Sequence, residues 1–286
     1  TIGIGLLATI SLGSSVWTAA RRHTPHPKAK DLFERGQIAQ KTGNVGTMRQ
    51  AMSFYKQAIA IDPDYADAWG ALAIGYRHGL DGYTNEEKLG YPRLIQSAAA
   101  RALALDPDQI EARTALALSY PNFRRWHLHE RRLRALLRRA PRYWYAHAQM
   151  GILMQDVGRF KEAILCHRRT LAIDPMLPIG WAALARAMYC AGRDQDADIA
   201  LDRAFARWPA HPALWFTRYG MLIAGRRYAE AAAFARDPRS LPDEFPPQYS
   251  QTYDDLATAL SRNDGAMIDG VVARLRPALD DIGGAP

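Results

Sequence analysis

Five prolines punctuate this 286-residue chain at a spacing that few folds can produce. Pro63, Pro107, Pro141, Pro175 and Pro209 each close an Ala/Leu-rich stretch, and the intervals between them are 44, 34, 34 and 34 residues. Proline lacks an amide proton and its ring clashes with the preceding turn, so each one stops a helix. The residue before it is also pushed out of helical geometry. A constant period of this length means one helical module laid down repeatedly, each copy too small to bury its apolar face alone.

Between the prolines the pattern predicts two amphipathic helices per module. Trp69, Leu72, Ala73 and Tyr76 share one helical face, and Trp181, Leu184, Ala185 and Met188 repeat the same steps. Ala213 to Ala224 opens the same way with Trp215. In the second helix a small residue recurs at Ala51, Ala163, Ala197 and Ala231, where two helices must pack closely. Larger residues such as Tyr55 and Leu201 fill the gap toward the next module.

These residues resemble the tetratricopeptide repeat, whose 34-residue signature runs Trp-Leu-Gly/Ala-Tyr and then Ala, Phe/Tyr, Ala and Pro. The resemblance covers residues 31–240 as six units, beginning near Leu32, Ala66, Ile110, Trp144, Pro178 and Pro212. The outer units diverge: Arg35 stands where Trp is usual, and Arg218 and Tyr219 where Leu and Gly are usual. It implies an all-α fold, a solenoid of helix-turn-helix repeats wound into a right-handed superhelix. The ten extra residues of the 44-residue interval fall around His78 to Pro92, where Gly79, Gly82, Gly90 and Pro92 predict a loop, either a tolerated surface insertion or part of a binding face. Beyond Pro238 the pattern breaks, and residues 241–286 read as a terminal helical hairpin.

Ahead of the repeats, Thr1 to Ala20 carries no charge and no proline and ends at Arg21-Arg22. Twenty helical residues span about 30 Å, the hydrocarbon thickness of a bilayer. A transmembrane helix is the preferred reading; a cleaved signal peptide, favoured by Thr18-Ala19-Ala20, and a buried core helix are the alternatives. Gly5, Thr9 and Gly13 align on one face, which suits a homodimer of membrane helices or is simply the small-residue usage of such helices. Arg21, Arg22, Lys28 and Lys30 favour a cytoplasmic flank on that side. Residues 21–30, with two prolines, predict an extended mobile linker.

The chemistry of a catalyst is missing from the letters. No phosphate loop, dinucleotide fingerprint, His-Glu-x-x-His zinc motif or Gly-x-Ser-x-Gly elbow occurs, and no cofactor is expected. His127 and His129, two apart, point to different sides of a helix and do not form a metal pair. Two cysteines rule out a disulfide scaffold and a four-cysteine metal site. Cys166 and Cys190 read as thiols packed in successive units, with a disulfide conceivable only outside the cytoplasm.

The net charge is +8, and arginine supplies it: 31 Arg against 6 Lys. The densest run holds Arg124, Arg125, Arg131, Arg132, Arg134, Arg138, Arg139 and Arg142 against one acid, Glu130. With Trp126, Tyr143, Trp144 and Tyr145 nearby, it reads as a solvated outer helix or as a patch for an acidic protein, peptide or lipid headgroup; nucleic acid is the less favoured partner. The family resemblance places a second set in a concave groove for a protein or peptide: Phe33, Gln40, Arg77, His78, Glu111, Asn122, Tyr145, Gln155, Arg186, Tyr189 and Phe216. That set lacks the Lys/Asn array with which chaperone-binding repeats clamp a terminal carboxylate.

A closer resemblance concerns Leu32-Phe-Glu-Arg-Gly36, Ala51 to Tyr55, Ala58-Ile59, Asp62 to Trp69 and Leu214 to Arg218. These stretches resemble the C-terminal repeat region of CadC/ToxR-like bacterial regulators, in which a winged-helix DNA-binding domain, or a nucleotide cyclase in a related layout, precedes the membrane helix. The resemblance implies a non-enzymatic, protein-binding sensory domain in the inner membrane with the repeats in the periplasm, against the hint from Arg21-Arg22. A secreted scaffold and the appendage of an upstream enzyme are the alternatives.

Overall fold

A computed structural model describes residues 23–42, 45–82, 85–119, 125–242, 245 and 247–282. Among them the chain is all helical. The helices pair as α1 (Pro27–Thr42) with α2 (Val45–Ile61), α3 (Ala66–Gly82) with α4 (Asn85–Leu105), and α5 (Ile110–Leu118) with α6 (Trp126–Arg139). They continue as α7 (Trp144–Asp156) with α8 (Phe160–Ile173), α9 (Pro178–Cys190) with α10 (Asp194–Phe205), and α11 (Pro212–Ala224) with α12 (Tyr228–Arg236). A last pair, α13 (Pro247–Arg262) and α14 (Gly265–Ile282), follows. The apolar segment 1–20 lies outside the described residues, and no described helix is long and apolar enough to cross a membrane.

The period is written into hydrogen bonds. Six residues after each proline, a side-chain N–H returns to the prolyl carbonyl: Trp69 to Pro63 at 2.9 Å, Arg113 to Pro107 at 2.9 Å, His147 to Pro141 at 2.9 Å and Trp181 to Pro175 at 3.1 Å. A carbonyl only accepts, so His147 carries its proton on Nε2. Between the two helices of units four to six, the chain turns through left-handed residues at Gly158 (φ 75°), Gly192 (φ 71°) and Arg226 (φ 57°). The next amides, of Arg159, Arg193 and Arg227, reach back to Met154, Met188 and Leu222 at 2.8–2.9 Å, closing the first helix of each unit. Those same arginines then clasp Glu162, Asp196 and Glu230 in the first turn of the second helix.

Packing follows the small residues. Ala51, Ala163, Ala197 and Ala231 are fully buried, as are Tyr55 and Leu201. One core runs from Ala29 to Met221, and a second gathers Trp215, Tyr219, Leu222, Ala231, Ala232, Ala235 and Ala257 at the C-terminal end. Trp215 departs from the indole-to-proline pattern. It is fully buried, stacked on Tyr219 (5.1 Å) and Phe234 (5.6 Å), with Phe245 and Tyr253 at its edges.

Among the described residues, three of the five successive pairs of first helices pack on each other: α3 on α5, α7 on α9 and α9 on α11. Successive second helices do not pack to that extent among the described residues. The stack therefore curves with its first helices on the inside.

Two local expectations are corrected. Residues 27–30 are helix, not linker, and the stretch before them is tied down: α1 starts at Pro27, and Asp62 accepts the amide of His26 at 2.8 Å and holds the ring of His23 at 2.8–2.9 Å. A proline at the first helical position needs no amide partner, so Pro27 starts the helix at no loss. The ten-residue insertion lengthens α3 and α4, and Pro92 sits inside α4. Tyr91 stacks near Tyr76 (5.6 Å) and Ile95 is fully buried, and this packing outweighs the amide bond that Pro92 removes.

Candidate peptide-binding groove and the arginine ridge

Much of the predicted groove set is engaged within the chain. Phe33 is buried against Tyr55 (5.7 Å) and Tyr65 (5.0 Å), so it is core, because α1 lies flat on α2. Gln40 accepts the Tyr55 hydroxyl at 2.6 Å. Arg77 donates Nε to the Leu118 carbonyl at 3.1 Å, and His78 packs on the buried ring of Tyr145 at 5.0 Å. Gln155 accepts from His167 Nε2 at 2.8 Å. Tyr189 is half-buried, while Arg186 and Phe216 are exposed. Asn122 and Arg124 lie outside the described residues.

The inside of the curve is narrow at units one to four. Gln37, Gln40 and Lys41 from α1 meet Ala71, Glu111, Tyr143 and Trp144 from the next three units around a hollow of about 60 Å³. Glu111 accepts from Gln109 at 2.5 Å, and burial pushes its carboxyl up from the usual carboxylate range. Burial, with Glu111 alongside, likewise raises the Tyr55 and Tyr143 hydroxyls. Lys41 reaches Asp174, at the end of α8, at 2.8 Å. The open stretch of the inner face therefore belongs to α9 and α11, where Arg186 and Phe216 stand exposed and the Phe216 ring packs near Phe245 (5.3 Å) and Tyr253 (5.9 Å). Burial also raises the Asp156 carboxyl on this side, against the pull of Arg186.

The arginine run forms a ridge on the second helix of unit three. Arg125 precedes α6 at its N-cap; Arg131, Arg134, Arg138 and Arg139 are exposed along it, Arg132 is half-buried, and Arg142 lies exposed in the turn that follows. The helix buries His129, Leu133 and Leu136. Burial, together with the charges of Arg77 and Arg132, pushes the His129 imidazole down to about 4. Both thiols are free; Cys166 is half-buried and Cys190 is exposed, so the expectation of two packed thiols holds for the first alone.

The recurring prolyl bonds and left-handed turns lie outside what the repeat signature specifies. A legible signal existed for both: the sixth residue after each proline is always able to donate except where the core claims it, and Gly158 and Gly192 are 34 apart.

Comparison with solved structures decides the architecture. A tetratricopeptide protein of Thermus thermophilus, TTC0263, aligns over 68% of this chain and 99% of its own, at 20% identity and a TM-score of 0.50. PilF of Pseudomonas aeruginosa aligns over 76% of this chain and 92% of its own, at 16% identity and a TM-score of 0.52. The fold is a tetratricopeptide-like solenoid. At these identities the likeness is one of fold. No family model matches the chain, and none of the curated proteins does.

Proposed function

We propose that this solenoid is a non-catalytic scaffold that binds a protein or peptide on its inner face, at α9 and α11. The observation that carries the reading is the curvature: first helices pack on one another and present Arg186, Tyr189 and Phe216 along one concave surface, the kind of surface that stacked repeats use for binding. The mixture of a guanidinium with exposed aromatic carbon suits a peptide carrying both an acidic and an apolar side chain. Peptides selected from a displayed random library should lose binding to Phe216→Ala and Arg186→Glu but keep it for Ile199→Asp, on α10. Equal loss at all three sites, or at none, rejects the groove.

We further propose that the scaffold is the sensing arm of a single-pass inner-membrane regulator of the CadC/ToxR-like kind, with the repeats in the periplasm. The uncharged run from Thr1 to Ala20 and the resemblance of the first unit support the tether, and Gly5, Thr9 and Gly13 support pairing of two such helices. A reporter fused after Lys30 that is active only outside the cytoplasm is the expected result. Cytoplasmic activity alone rejects the orientation, and a mature chain beginning at Arg21 replaces the tether with a cleaved leader.

A further inference from the structure

The α6 ridge has a feature that a merely solvated helix lacks: a hollow on each flank. One, of about 830 Å³, lies between α6, α7 and α8, floored by Met150, Met154 and Ile173. The other, of about 630 Å³, lies between α4, α5 and α6, floored by Leu103, Leu116 and Leu136. Both fall within the range of about 300–1,000 Å³ that takes bulky apolar groups. Arg138 stands on the rim of both. Arg134, Arg142 and Arg169 also line the larger, together with Glu162, whose carboxylate is held by Arg159, and Arg113, Arg132 and Arg139 line the smaller.

The charge on this ridge is left over after the chain's own pairing. In the three units that follow, the arginine after each inter-helix turn is answered: Arg159, Arg193 and Arg227 each hold a carboxylate three residues on. Glu130, the acid of α6, is taken by Arg134 at 2.6 Å and by Arg159 at 2.9 Å. Among the described residues no carboxylate is paired with Arg131, Arg138, Arg139, Arg142 or Arg169. The partial negative charge at a helix C-terminus accounts for Arg138 and Arg139 being there. It does not account for Arg131 near the start of α6, nor for Arg169, which comes from α8.

We propose that the α6 ridge is a second docking surface, on the outer side of the curve, for an acidic protein segment carrying two pairs of apolar anchor side chains. Carboxylates on the segment meet the guanidiniums of Arg138, Arg139 and Arg142, whose planar fork suits bidentate pairing. One pair enters each hollow, so the segment lies across the ridge. The hollows are two open clefts between helices, rimmed mostly by arginine. That shape rewards discrete side chains at a fixed separation, whereas a bilayer rewards apolar groups that protrude. Leu165, 54% exposed at the edge of the larger hollow, is apolar surface that such an anchor covers.

The inference is independent of the inner groove, and its test keeps them apart. The probe is a fluorescent synthetic peptide of glutamates with two leucine–phenylalanine pairs, titrated into the full 286-residue chain by anisotropy. The expected result is binding that weakens at least about tenfold in Arg138→Glu and in Leu165→Asp, and is unchanged in Phe216→Ala, with helical circular dichroism intact throughout. Replacing the leucines and phenylalanines of the peptide by serine should abolish most of the affinity. Equal binding of the serine peptide reduces the ridge to a non-specific counter-ion surface and overturns the proposal. So does failure to bind the peptide, and so does Arg138-dependent binding of phosphatidylglycerol vesicles in preference to it.

Discussion

Lys41 and Asp174 meet at 2.8 Å although 133 residues separate them, and their contact joins the first unit to the end of the fourth across the inside of the curve. Lys41 is half in solvent, so the pair contributes little to global stability, about 0–1 kcal/mol. Its effect is on shape. Lys41→Ala should leave the urea midpoint nearly unchanged while lengthening the distance between spin labels at Ile38 and Ile199. Raising the salt concentration should do the same in the parent chain. Identical distance distributions in parent and variant would show that the pair closes nothing.

Gly151 and His167 are fitted to each other without a spare atom. A Cβ on Gly151 falls 2.5 Å from the imidazole Cε1 and 2.7 Å from both ring nitrogens. The ring cannot move away, because it is fully buried and bonded to Gln155. Gly151→Ala should therefore lose about 1–3 kcal/mol in denaturant unfolding despite the better helix propensity of alanine. Gly220→Ala, in α11, is the control. A Cβ there meets nothing within 4 Å, and the change should be neutral or stabilising by up to about 1 kcal/mol.

Acid should loosen the stack before it breaks the surface pairs. Burial pushes the imidazoles of His129 and His167 down to about 4, helped by Arg77 and Arg132 at the first and Arg186 at the second. In the unfolded chain both titrate near 6.5. Between those values the unfolded state binds more protons at these two sites, so together they lower stability by a few kcal/mol as pH drops from about 6.5 to about 4, opposed in part by the raised carboxyls of Glu111 and Asp156, which take up protons in the folded state. Asp62 and Glu130, whose carboxyls are held low by His23 and by Arg134, add their losses only below the ordinary carboxylate range. Thermal melts across this window should show the slope, and His167→Gln should flatten it; a flat parent profile would count against neutral buried imidazoles.

Arg226 occupies the left-handed position that Gly158 and Gly192 hold in the two preceding units. A side chain there crowds its own carbonyl, a strain that glycine lacks. Arg226→Gly should raise stability by about 0.5–1 kcal/mol, read as a higher denaturation midpoint with an unchanged slope.

The two kinds of tryptophan predict unequal losses. Trp181→Phe removes one hydrogen bond to an exposed carbonyl and should cost about 0.5–1.5 kcal/mol. Trp215→Ala empties the centre of the terminal aromatic cluster and should cost about 3–5 kcal/mol. Hydrogen exchange should then show α11 to α13 opening ahead of the rest, because the two cores are separate clusters.

The letters disclosed what is local and periodic. Proline stops, helix pairs and the buried alanines at 51, 163, 197 and 231 all follow from spacing, since each is decided within one module. The bond from Asp62 to His23 and His26 leaves no such trace, and so the helical start at Pro27 was hidden. Breaker residues do not break at the insertion, where Gly79 lies inside α3, Gly82 ends it, and Pro92 lies inside α4 beside the packed Tyr91 and Ile95. At the groove, the family pattern named positions but not their engagement. Phe33 and Tyr145 occupy the stated places and are consumed by neighbours, while Arg186 and Phe216 remain exposed.

The prolyl carbonyl that accepts an indole, a guanidinium or an imidazole proton with equal geometry has a consequence for how such a chain can change. The joint asks only for a nitrogen-bound hydrogen at a fixed height, whatever scaffold delivers it. A block cut from one of these joints to the next can be removed, duplicated or exchanged with its neighbour, and the freshly adjoining blocks find the same handhold waiting. Length is thus the cheapest property for this molecule to alter, and its reach along a partner can grow or shrink one block at a time.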